Sequence, residues 1–598
     1  MSHQETAELL DELRRSRRRR PFRLPPRLDP WVFGFAAVLA VAFVIWGFTS
    51  PDSLGSVASS MLDWTVSKLG WLFVIAAAVI TLFILVVALS RRGRIPLGRN
   101  GEPPEYRTLS WISMMFATGM GIGLVFYGVG EPLFFYMSPP PDTVAAQTPE
   151  AGVTAMGTAL FHWSLFPWAM YALVGLGIAY GTFRLGRTQL FSSMFESLFG
   201  RGVVNGPGGR AINILAILAT LFGSACSLGL GALQIGGGIV SAGIADSVGN
   251  SLLILIIAIL TACFVASAAS GISRGIQWLS NINMVLALLL AVLVFIGGPT
   301  LFILNIIPQT VGNFIDQLPH MASRTPSDDQ PELKEWMSGW TVFYWAWFIS
   351  WTPFVGIFIA RISRGRTIRQ FVAGILIVPS VVSLIWFAVF GGGAIGLQER
   401  AERAGDVSAM LSKEAEGGDI NFDTVLFDML RQLGLPGAVL TVVTVITVLL
   451  IAIFFVTGAD SASIVMGGLS ENGAVDPSRR TVIFWGVATG AVAAAMLLAG
   501  GDDPSAALTG LKNITIVSSV PFLFVLLLLC VSLWRDLSRD PMVIHYDLAR
   551  VVLENSVHEG VEEHHGKPFI MQSVEAEYVE DPEKLVEHGD LDRRRPRE

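Results

Sequence analysis

Residues 111–137 read WISMMFATGMGIGLVFYGVGEPLFFYM, an apolar run of membrane-spanning length with glycines in its middle. Within it, Gly119-Met120-Gly121-Ile122-Gly123 alternates glycine with larger residues. Glycine loosens a helix and lets its backbone approach a ligand closely, with carbonyl oxygens free to meet a cation. The stretch therefore predicts a membrane helix unwound at a binding site. Taken alone, close packing of neighbouring helices through small residues is the commoner explanation.

The composition excludes an ordinary soluble protein. Of 598 residues, 52% are apolar and only 15% are charged, which leaves too little charge to cover a globular surface. The three cysteines, Cys226, Cys263 and Cys530, fall inside apolar runs without paired spacing. A disulfide framework or a zinc site is therefore not expected.

Twelve apolar runs are near or above the twenty residues that a membrane helix needs. We number them spans 1 to 12: 31–49, 71–90, 111–137, 153–182, 211–243, 251–269, 278–302, 338–360, 370–397, 437–468, 481–499 and 506–533. The basic start of the chain resembles a signal peptide, but span 1 is long for one and lacks a cleavage site of small residues. We therefore expect span 1 to be retained.

Arginine in the loops predicts the orientation. The connections 91–107, 184–210 and 361–369, after spans 2, 4 and 8, are rich in arginine, whereas 138–150 has no basic residue. Basic loops stay in the cytoplasm. Both termini are therefore predicted to be cytoplasmic in a multi-pass protein of the bacterial inner membrane.

The runs and loops suggest six segments. These are a basic cytoplasmic N-terminal segment (1–30), two peripheral helices (31–110), a first group of spans (111–302), an amphipathic interfacial connection (303–336), a second group of spans (337–533) and a cytoplasmic tail (534–598). The tail is mixed in charge and mostly acidic, so it is either a solvated regulatory segment or simply disordered.

Span 4 carries aromatic residues in its middle rather than at the membrane surfaces. Trp168 and Tyr171 are i,i+3 neighbours, Trp163 lies one to two turns earlier, and Pro167 permits a bend between them. Such rings can box a cation, each desolvated contact giving ~2 kcal/mol. For any single ring, ordinary packing is the simpler interpretation. His162 points away from this face and is interpreted as a core histidine without an obvious partner.

Span 8 holds a second aromatic cluster, and two further spans offer oxygen ligands. In span 8, Trp347 and Trp351 share a face, and Pro353 weakens the helix and is expected to expose carbonyls. The hydroxyl and carboxyl groups are Thr220 and Ser224, with Ser227, in span 5, and Thr457, Asp460, Ser461 and Ser463 in span 10. They suit an alkali cation, although serine and threonine more often bond back into their own helix.

No paired acid and base, and no histidine cluster with metal spacing, indicates catalysis, so an enzyme is not expected. A channel or receptor stays open as an alternative to a transporter if the glycine run and the aromatic residues prove to be packing.

Together, these features resemble the betaine/choline/carnitine transporter family, most closely its sodium-coupled glycine betaine symporters. The stretches that carry the resemblance are Gly119 to Gly123, the set Trp163, Trp168 and Tyr171, the run 347–351 and the run 454–461. The resemblance covers spans 1 to 12. It implies an all-α membrane fold with a five-plus-five inverted-repeat (LeuT-like) core, spans 3–7 and 8–12, plus two N-terminal helices, and a homotrimer. Spans 3 and 8 are then the expected broken helices.

Transferred to this chain, the resemblance implies an aromatic cage and a gate. The cage falls on Trp163, Trp168, Tyr171 and Phe348, the last at a position where a glycine betaine carrier typically has tryptophan. Substrate contacts also fall on the glycine run, with Ile122, and on Trp351. Trp347 and Phe358 fit a gate on the cytoplasmic side.

The resemblance also implies two sodium sites. One uses Ala117, Met120, Phe454 and Thr457, where Gly458 replaces a serine that the family often adds. The other uses Thr220, Ser224 and Phe354. Gly123 resembles the sodium-coupled carriers, since proton-coupled choline carriers tend to have aspartate there.

The expected function is sodium-coupled import of a quaternary-ammonium compatible solute, most simply glycine betaine, for osmotic protection. Choline or carnitine uptake coupled to protons, and ectoine or proline uptake, are the alternatives. The expected partners are the solute, sodium as coupling ion, membrane lipid and two further copies of the chain. Neither a cofactor nor nucleic acid is expected.

Overall fold

The computed structural model describes residues 28–119, 121–270, 273–412, 420–501, 504–563 and 565. The chain divides into two units, Arg20–Ser538 and Met1–Arg19 with Arg539–Glu598. Of the predicted N-terminal segment (1–30) only residues 28–30 are described, and of the predicted tail (534–598) residues 534–563 and 565 are described. The larger unit holds the predicted spans.

The regular elements of the described residues are helices, apart from one isolated bridge between Pro96 and Thr367. In chain order the α-helices are α1 Pro30–Thr49, α2 Pro51–Leu89, α3 Thr108–Gly119, α4 Ile122–Met137, α5 Pro149–Trp163, α6 Leu165–Ala179, α7 Glu196–Val204, α8 Pro207–Ser241, α9 Asn250–Ser270, α10 Ser273–Gly297, α11 Thr300–Ser323, α12 Pro331–Met337, α13 Phe343–Arg361, α14 Ile368–Phe387, α15 Gly393–Ala404, α16 Val425–Arg431, α17 Gly437–Ser470, α18 Arg479–Gly500, α19 Pro504–Ser538 and α20 Pro541–Glu563. The single π-turns Tyr180–Arg184, Ser338–Val342 and Ala388–Gly392 extend spans 4, 8 and 9.

Every predicted span corresponds to helix. Ten helical stretches of the described residues are long and apolar enough to cross a membrane. The remaining two spans are span 3, which is divided between α3 and α4, and span 7, which α10 forms. The predicted all-α, multi-pass membrane fold is confirmed.

Helix α11 turns sharply away from span 7. The segments Asn281–Gly297 and Thr300–Ser323 meet at 108°. A helix that lies along the membrane surface needs such a turn after a span, and α11 covers most of the predicted interfacial connection. The six segment boundaries themselves stay predictions.

Span 8 departs from the prediction, because α13 runs without a break through Pro353. Proline removes one N–H and leaves the carbonyl four residues earlier without its helical donor. That carbonyl belongs to Ile349, and the Thr352 hydroxyl donates to it at 2.7 Å. The expectation of a broken span 8 with exposed carbonyls is therefore wrong, since the residue before the proline repairs the helix.

A buried ion pair joins the segment after span 4 to the end of span 12. The Arg187 guanidinium donates to both carboxylate oxygens of Asp536, at 2.6 and 3.0 Å. Its Nε lies 3.1 Å from Glu196. Both Arg187 and Asp536 are only 8% exposed. Because a buried charge is costly without its partner, this contact strongly favours the observed packing of spans 4 and 12.

Candidate substrate-binding site

Span 3 is interrupted within the glycine run. Helix α3 ends at Gly119 and α4 begins at Ile122, with Gly121 extended between them at φ −157° and ψ 178°. The first N–H groups of α4 have no carbonyl partner in their own helix, and the helix dipole adds partial positive charge there. The predicted unwinding is present, and it creates a site suited to a carboxylate.

Gly123, in the first turn of α4, lies between two indole rings. A Cβ at this position would come within 2.5 Å of Cη2 of Trp347 and 2.7 Å of Cη2 of Trp163. Carbon atoms prefer separations of about 3.5–4.0 Å. Only glycine therefore allows α4 to approach both rings this closely.

Span 4 is also broken, between Trp163 and Leu165. Ser164 has φ −114° and ψ −109°, outside the helical region. Pro167 has no N–H for the carbonyl of Trp163, and the hydroxyl of Ser383 in span 9 donates to that carbonyl instead, at 2.9 Å. The predicted bend thus lies three residues before the proline, and span 9 stabilises it.

These breaks surround one cavity in the middle of the spans. Its wall comes from α4, from both sides of the span 4 break, from α13 and from α14. The lining residues are Gly121, Gly123, Leu124, Trp163, Pro167, Trp168, Tyr171, Trp347, Phe348, Trp351, Val355 and Ser383. The four predicted cage rings therefore converge on the unwound glycine run.

The cage rings meet edge to face. Ring centroids are 5.3 Å apart for Trp168 and Tyr171, 6.1 Å for Tyr171 and Phe348, and 5.5 Å for Trp163 and Phe348, with interplanar angles of 77°, 88° and 85°. All four rings are buried. Edge-to-face contact is a favoured packing of aromatic rings, and together the four rings give the cavity an aromatic wall, which suits a cation.

Hydrogen bonds to span 5 hold the other two tryptophans of the wall. Nε1 of Trp347 donates to Oγ of Ser227 at 3.1 Å, and Nε1 of Trp351 donates to the carbonyl of Gly223 at 3.0 Å. Trp347, predicted as a gate, therefore forms part of the cavity wall. Phe358, the other predicted gate, is 37% exposed and lies outside that wall. Their gating role stays a prediction.

The model of the BCCT family, the betaine/carnitine/choline family of transporters, matches residues 31–542. The chain belongs to this family. The resemblance drawn from the motifs is confirmed, and this BCCT chain is a multi-pass membrane transporter rather than an enzyme.

Several curated relatives transport compatible solutes. The betaine/ectoine transporter LcoP of Corynebacterium glutamicum is 45% identical over 552 residues, 92% of this chain and 84% of that protein. The glycine betaine transporter OpuD of Bacillus subtilis is 42% identical over 514 residues, 85% of this chain and 94% of that protein. The ectoine/hydroxyectoine transporter of Virgibacillus pantothenticus is 37% identical over 512 residues, 85% of this chain and 96% of that protein. These relatives support a compatible-solute transporter.

Ile122, a predicted substrate contact of this BCCT chain, is not among the described residues that line the cavity. Ile122 is buried and points at Gly231 of span 5, where a Cβ would meet its Cδ1 at 3.2 Å. Gly119, another predicted contact, forms the end of α3. Met120 lies outside the described residues. The side chain at position 122 therefore serves the packing of α4 on span 5.

The residues of the two implied sodium sites lie on spans that pack together. Helix α17 packs along α8, and α8 along α13. The Thr457 hydroxyl donates to the carbonyls of Ile453 and Phe454, at 2.9 and 3.3 Å, and the Thr220 hydroxyl donates to Ala216 at 2.8 Å. A hydroxyl that donates its proton keeps its oxygen lone pairs for a cation. These bonds are therefore compatible with sodium ligation.

The remaining members of these sites are described only in part. Phe454 and Ser224 are buried, and Phe354 packs edge to face on Trp351 at 5.7 Å. Ala117 lies in α3, and Met120 is outside the described residues. A Cβ at Gly458 would meet nothing within 4 Å, so the serine that other family members often have would fit there.

Sequence reasoning missed Glu131, a fully buried carboxylate in α4. It accepts a hydrogen bond from Nε1 of the cage residue Trp163 at 2.7 Å. His162, for which no partner was predicted, lies 2.9 Å from Glu131 and 3.0 Å from the Thr341 hydroxyl. The available signal was a carboxylate inside an apolar run, which is expensive and usually functional.

A second aromatic layer, also missed, covers the cage on its predicted outer side. The ring of Tyr127 lies 6.2 Å from that of Trp163 and 5.9 Å from that of Phe422, which belongs to the long connection after span 9. The ammonium of Lys512 lies 4.8 Å from the ring of Trp340 and donates to the carbonyl of Gly339 at 3.1 Å. The described structure therefore has its cage closed by rings on this side.

Proposed function

We propose that this chain imports glycine betaine by sodium symport across the bacterial cell membrane, and so protects the cell under osmotic stress. The observation that carries the proposal is the meeting of four cage rings with the free N-terminus of α4 at one buried cavity. The cavity thus offers one surface to a cation and another to a carboxylate. A betaine zwitterion has both groups, two bonds apart.

The trimethylammonium group would sit among Trp163, Trp168, Tyr171 and Phe348. This group cannot donate hydrogen bonds, so π-faces stabilise it better than polar side chains, at ~2 kcal/mol for each desolvated contact. The carboxylate would accept hydrogen bonds from the first N–H groups of α4, where the helix dipole is positive. The extended backbone at Gly121 leaves that helix end open to the cavity.

Transport would proceed by alternating access, with spans 3, 4, 8 and 9 moving against the other core spans. Two sodium ions that cross ~100 mV supply about 4.6 kcal/mol, at about 2.3 kcal/mol each. Each 1.4 kcal/mol corresponds to about a tenfold concentration ratio of solute across the membrane. The membrane potential alone therefore supports a ratio of over about a thousandfold, before any sodium gradient is added. Import against a steep gradient is what an osmoprotectant carrier needs.

Sodium coupling is supported by the crowding at Gly123. Proton-coupled choline carriers resemble this chain but tend to have aspartate at the position. Here a Cβ would already meet Trp347 and Trp163 at 2.5 and 2.7 Å. A carboxylate would need both rings to move, so this cage favours a coupling ion bound elsewhere, at the Thr457 and Thr220 sites.

Ectoine is a second candidate substrate. Two of the relatives are named as ectoine carriers. Phe348 stands where a glycine betaine carrier typically has the larger tryptophan, and this leaves more room for a cyclic solute. The positive charge of ectoine is shared across an amidinium group, which the same rings would attract.

Two further expectations belong to the proposal, namely a homotrimer and cytoplasmic termini. Cross-linking of the protein in membranes would report three copies, and a tag at each terminus should resist protease in sealed, right-side-out vesicles. A monomer or an accessible tag would contradict the respective expectation.

Uptake into proteoliposomes tests the proposal. Labelled glycine betaine should accumulate when sodium is outside and the interior is negative, and unlabelled ectoine should compete better than choline. Uptake that persists without sodium and follows a proton gradient would overturn the coupling assignment. Absence of saturable uptake of all three solutes would overturn the transport proposal.

A further inference from the structure

We infer that Glu131 is the residue that positions the aromatic cage, and that cage affinity depends on the hydrogen bonds its side-chain oxygens accept, although Glu131 does not line the cavity. The inference deepens the proposed function and rests on it. Glu131 lies in α4, two turns beyond the glycine run, and is fully buried. The cavity wall does not include it.

Three donors from two other spans converge on this carboxylate. Oε2 accepts from Nε1 of Trp163 at 2.7 Å and from the hydroxyl of Tyr344 at 2.6 Å. Oε1 lies 2.9 Å from Nδ1 of His162. A carboxylate can only accept, so the ring proton of His162 is assigned to Nδ1, and Nε2 then accepts from the hydroxyl of Thr341 at 3.0 Å. A buried carboxylate with three donors is satisfied and holds all three firmly.

Two of these donors set the walls of the cage. Trp163 is itself a cage ring, and its orientation about the cavity is fixed by the bond to Glu131. The ring of Tyr344 stacks on that of Phe348 at 5.9 Å and 17°. Phe348 has no polar atom with which to anchor itself. The ring of Phe348 is held only by neighbouring side chains. Glu131 therefore influences the position of Phe348 by holding Tyr344.

The network also joins the spans that are proposed to move together. Glu131 belongs to span 3, His162 and Trp163 to span 4, and Thr341 and Tyr344 to span 8. Rings from all three spans would otherwise be free to separate when the transporter changes state. The carboxylate keeps the cage one rigid body, as a preorganised site requires.

The geometry predicts which substitutions matter. Glu131→Gln retains one oxygen for both Trp163 and Tyr344, because the amide nitrogen can face His162, whose neutral ring accepts at Nδ1 when its proton moves to Nε2. Glu131→Leu has nearly the same size but no acceptor. If Glu131 acts by holding the rings, the glutamine variant rescues function and the leucine variant does not.

The experiment measures glycine betaine KM and maximal rate in proteoliposomes, and Kd from tryptophan fluorescence of the purified full-length protein. Glu131→Leu should raise KM and Kd about tenfold or more, the size of the two lost hydrogen bonds from Trp163 and Tyr344, with a maximal rate within about threefold. Glu131→Gln should stay within about threefold of wild type. Glu402→Leu is the matched control and should leave KM near that of wild type, since Glu402 accepts from Tyr136 at 3.2 Å outside the cage.

A double-mutant cycle separates positioning from general stabilisation. In a Trp163→Phe background there is no indole N–H to hold, so Glu131→Leu should raise KM less than it does alone. Equal effects in both backgrounds, or a Glu131→Leu protein with wild-type KM and melting temperature, would overturn the inference.

Tyr344→Phe tests the same link if Glu131→Leu does not fold. It removes one donor and leaves the carboxylate two partners, and it should still raise KM by a few-fold. A wild-type KM for this variant would contradict the inference. Failure of the wild-type protein to bind or transport betaine would instead refute the proposed function, so the two failures are distinct.

Discussion

Replacing Gly123 by alanine tests the closest contact of the site. The new Cβ would lie 2.5 Å from Trp347 and 2.7 Å from Trp163, measured to Cη2 of each ring. Carbon pairs prefer about 3.5–4.0 Å, so each indole must withdraw by about 1 Å. Overpacking of this kind costs about 1–3 kcal/mol. If the closed cage bears the whole cost, the KM for glycine betaine rises about 5- to 140-fold, at about 1.4 kcal/mol for each factor of ten.

The assay is glycine betaine uptake by proteoliposomes over a range of substrate concentrations. Gly34→Ala in the peripheral helix α1 is the matched control, because a Cβ there also meets nothing within 4 Å. Its KM should stay close to that of wild type. If Gly123→Ala behaves like the control, then the two indoles do not enclose the N-terminus of α4, and the reasoning is refuted.

Three further tests use single substitutions, two of them with a control variant. Trp168→Leu removes one π-face worth ~2 kcal/mol and should raise the betaine KM about 30-fold, whereas Tyr171→Phe keeps its ring and should change KM little; similar KM values for both would contradict the cage. Gly458→Ser restores a hydroxyl beside a proposed sodium site, so half-maximal uptake should need less sodium, and an unchanged requirement would argue against that site. Arg187→Ala leaves a buried carboxylate unpaired, at a cost of about 3–5 kcal/mol, and should lower the melting temperature. Arg201→Ala, 46% exposed in its ion pair, should not lower it, and equal melting temperatures would show that the buried pair contributes nothing.

The spans and the break in span 3 could be predicted from the sequence because each rests on a local property. High hydropathy over about twenty residues predicts a membrane helix. Alternating glycines predict the point at which such a helix unwinds. Span 8 shows the limit of predicting a helix break from local sequence. Pro353 signals a break, but the Thr352 hydroxyl supplies the missing donor for Ile349. A proline therefore predicts that a carbonyl loses its helical donor, but it does not predict which other group will donate to that carbonyl.

The candidate site could be predicted as far as its rings and no further. Trp163, Trp168 and Tyr171 are close in sequence, and family resemblance added Phe348. Glu131 was missed because its donors are remote, with Tyr344 213 residues away. The role of Glu131 as a shared acceptor can be seen only when spans 3, 4 and 8 are packed together. Ile122 shows the converse, since a residue inside the right motif faces span 5.

A comparison of glycine betaine with its carbon isostere 3,3-dimethylbutyrate tests the central claim most directly. Both carry a carboxylate beside a group of three methyls, but only betaine has a positive charge on that group. Equilibrium binding to the purified protein in sodium should be strong for betaine, and the isostere should compete at least about a hundredfold more weakly, since several ~2 kcal/mol ring contacts are lost. Equal competition by the two compounds would mean that the cavity recognises shape and apolar surface alone, and the aromatic cage would not be an onium site.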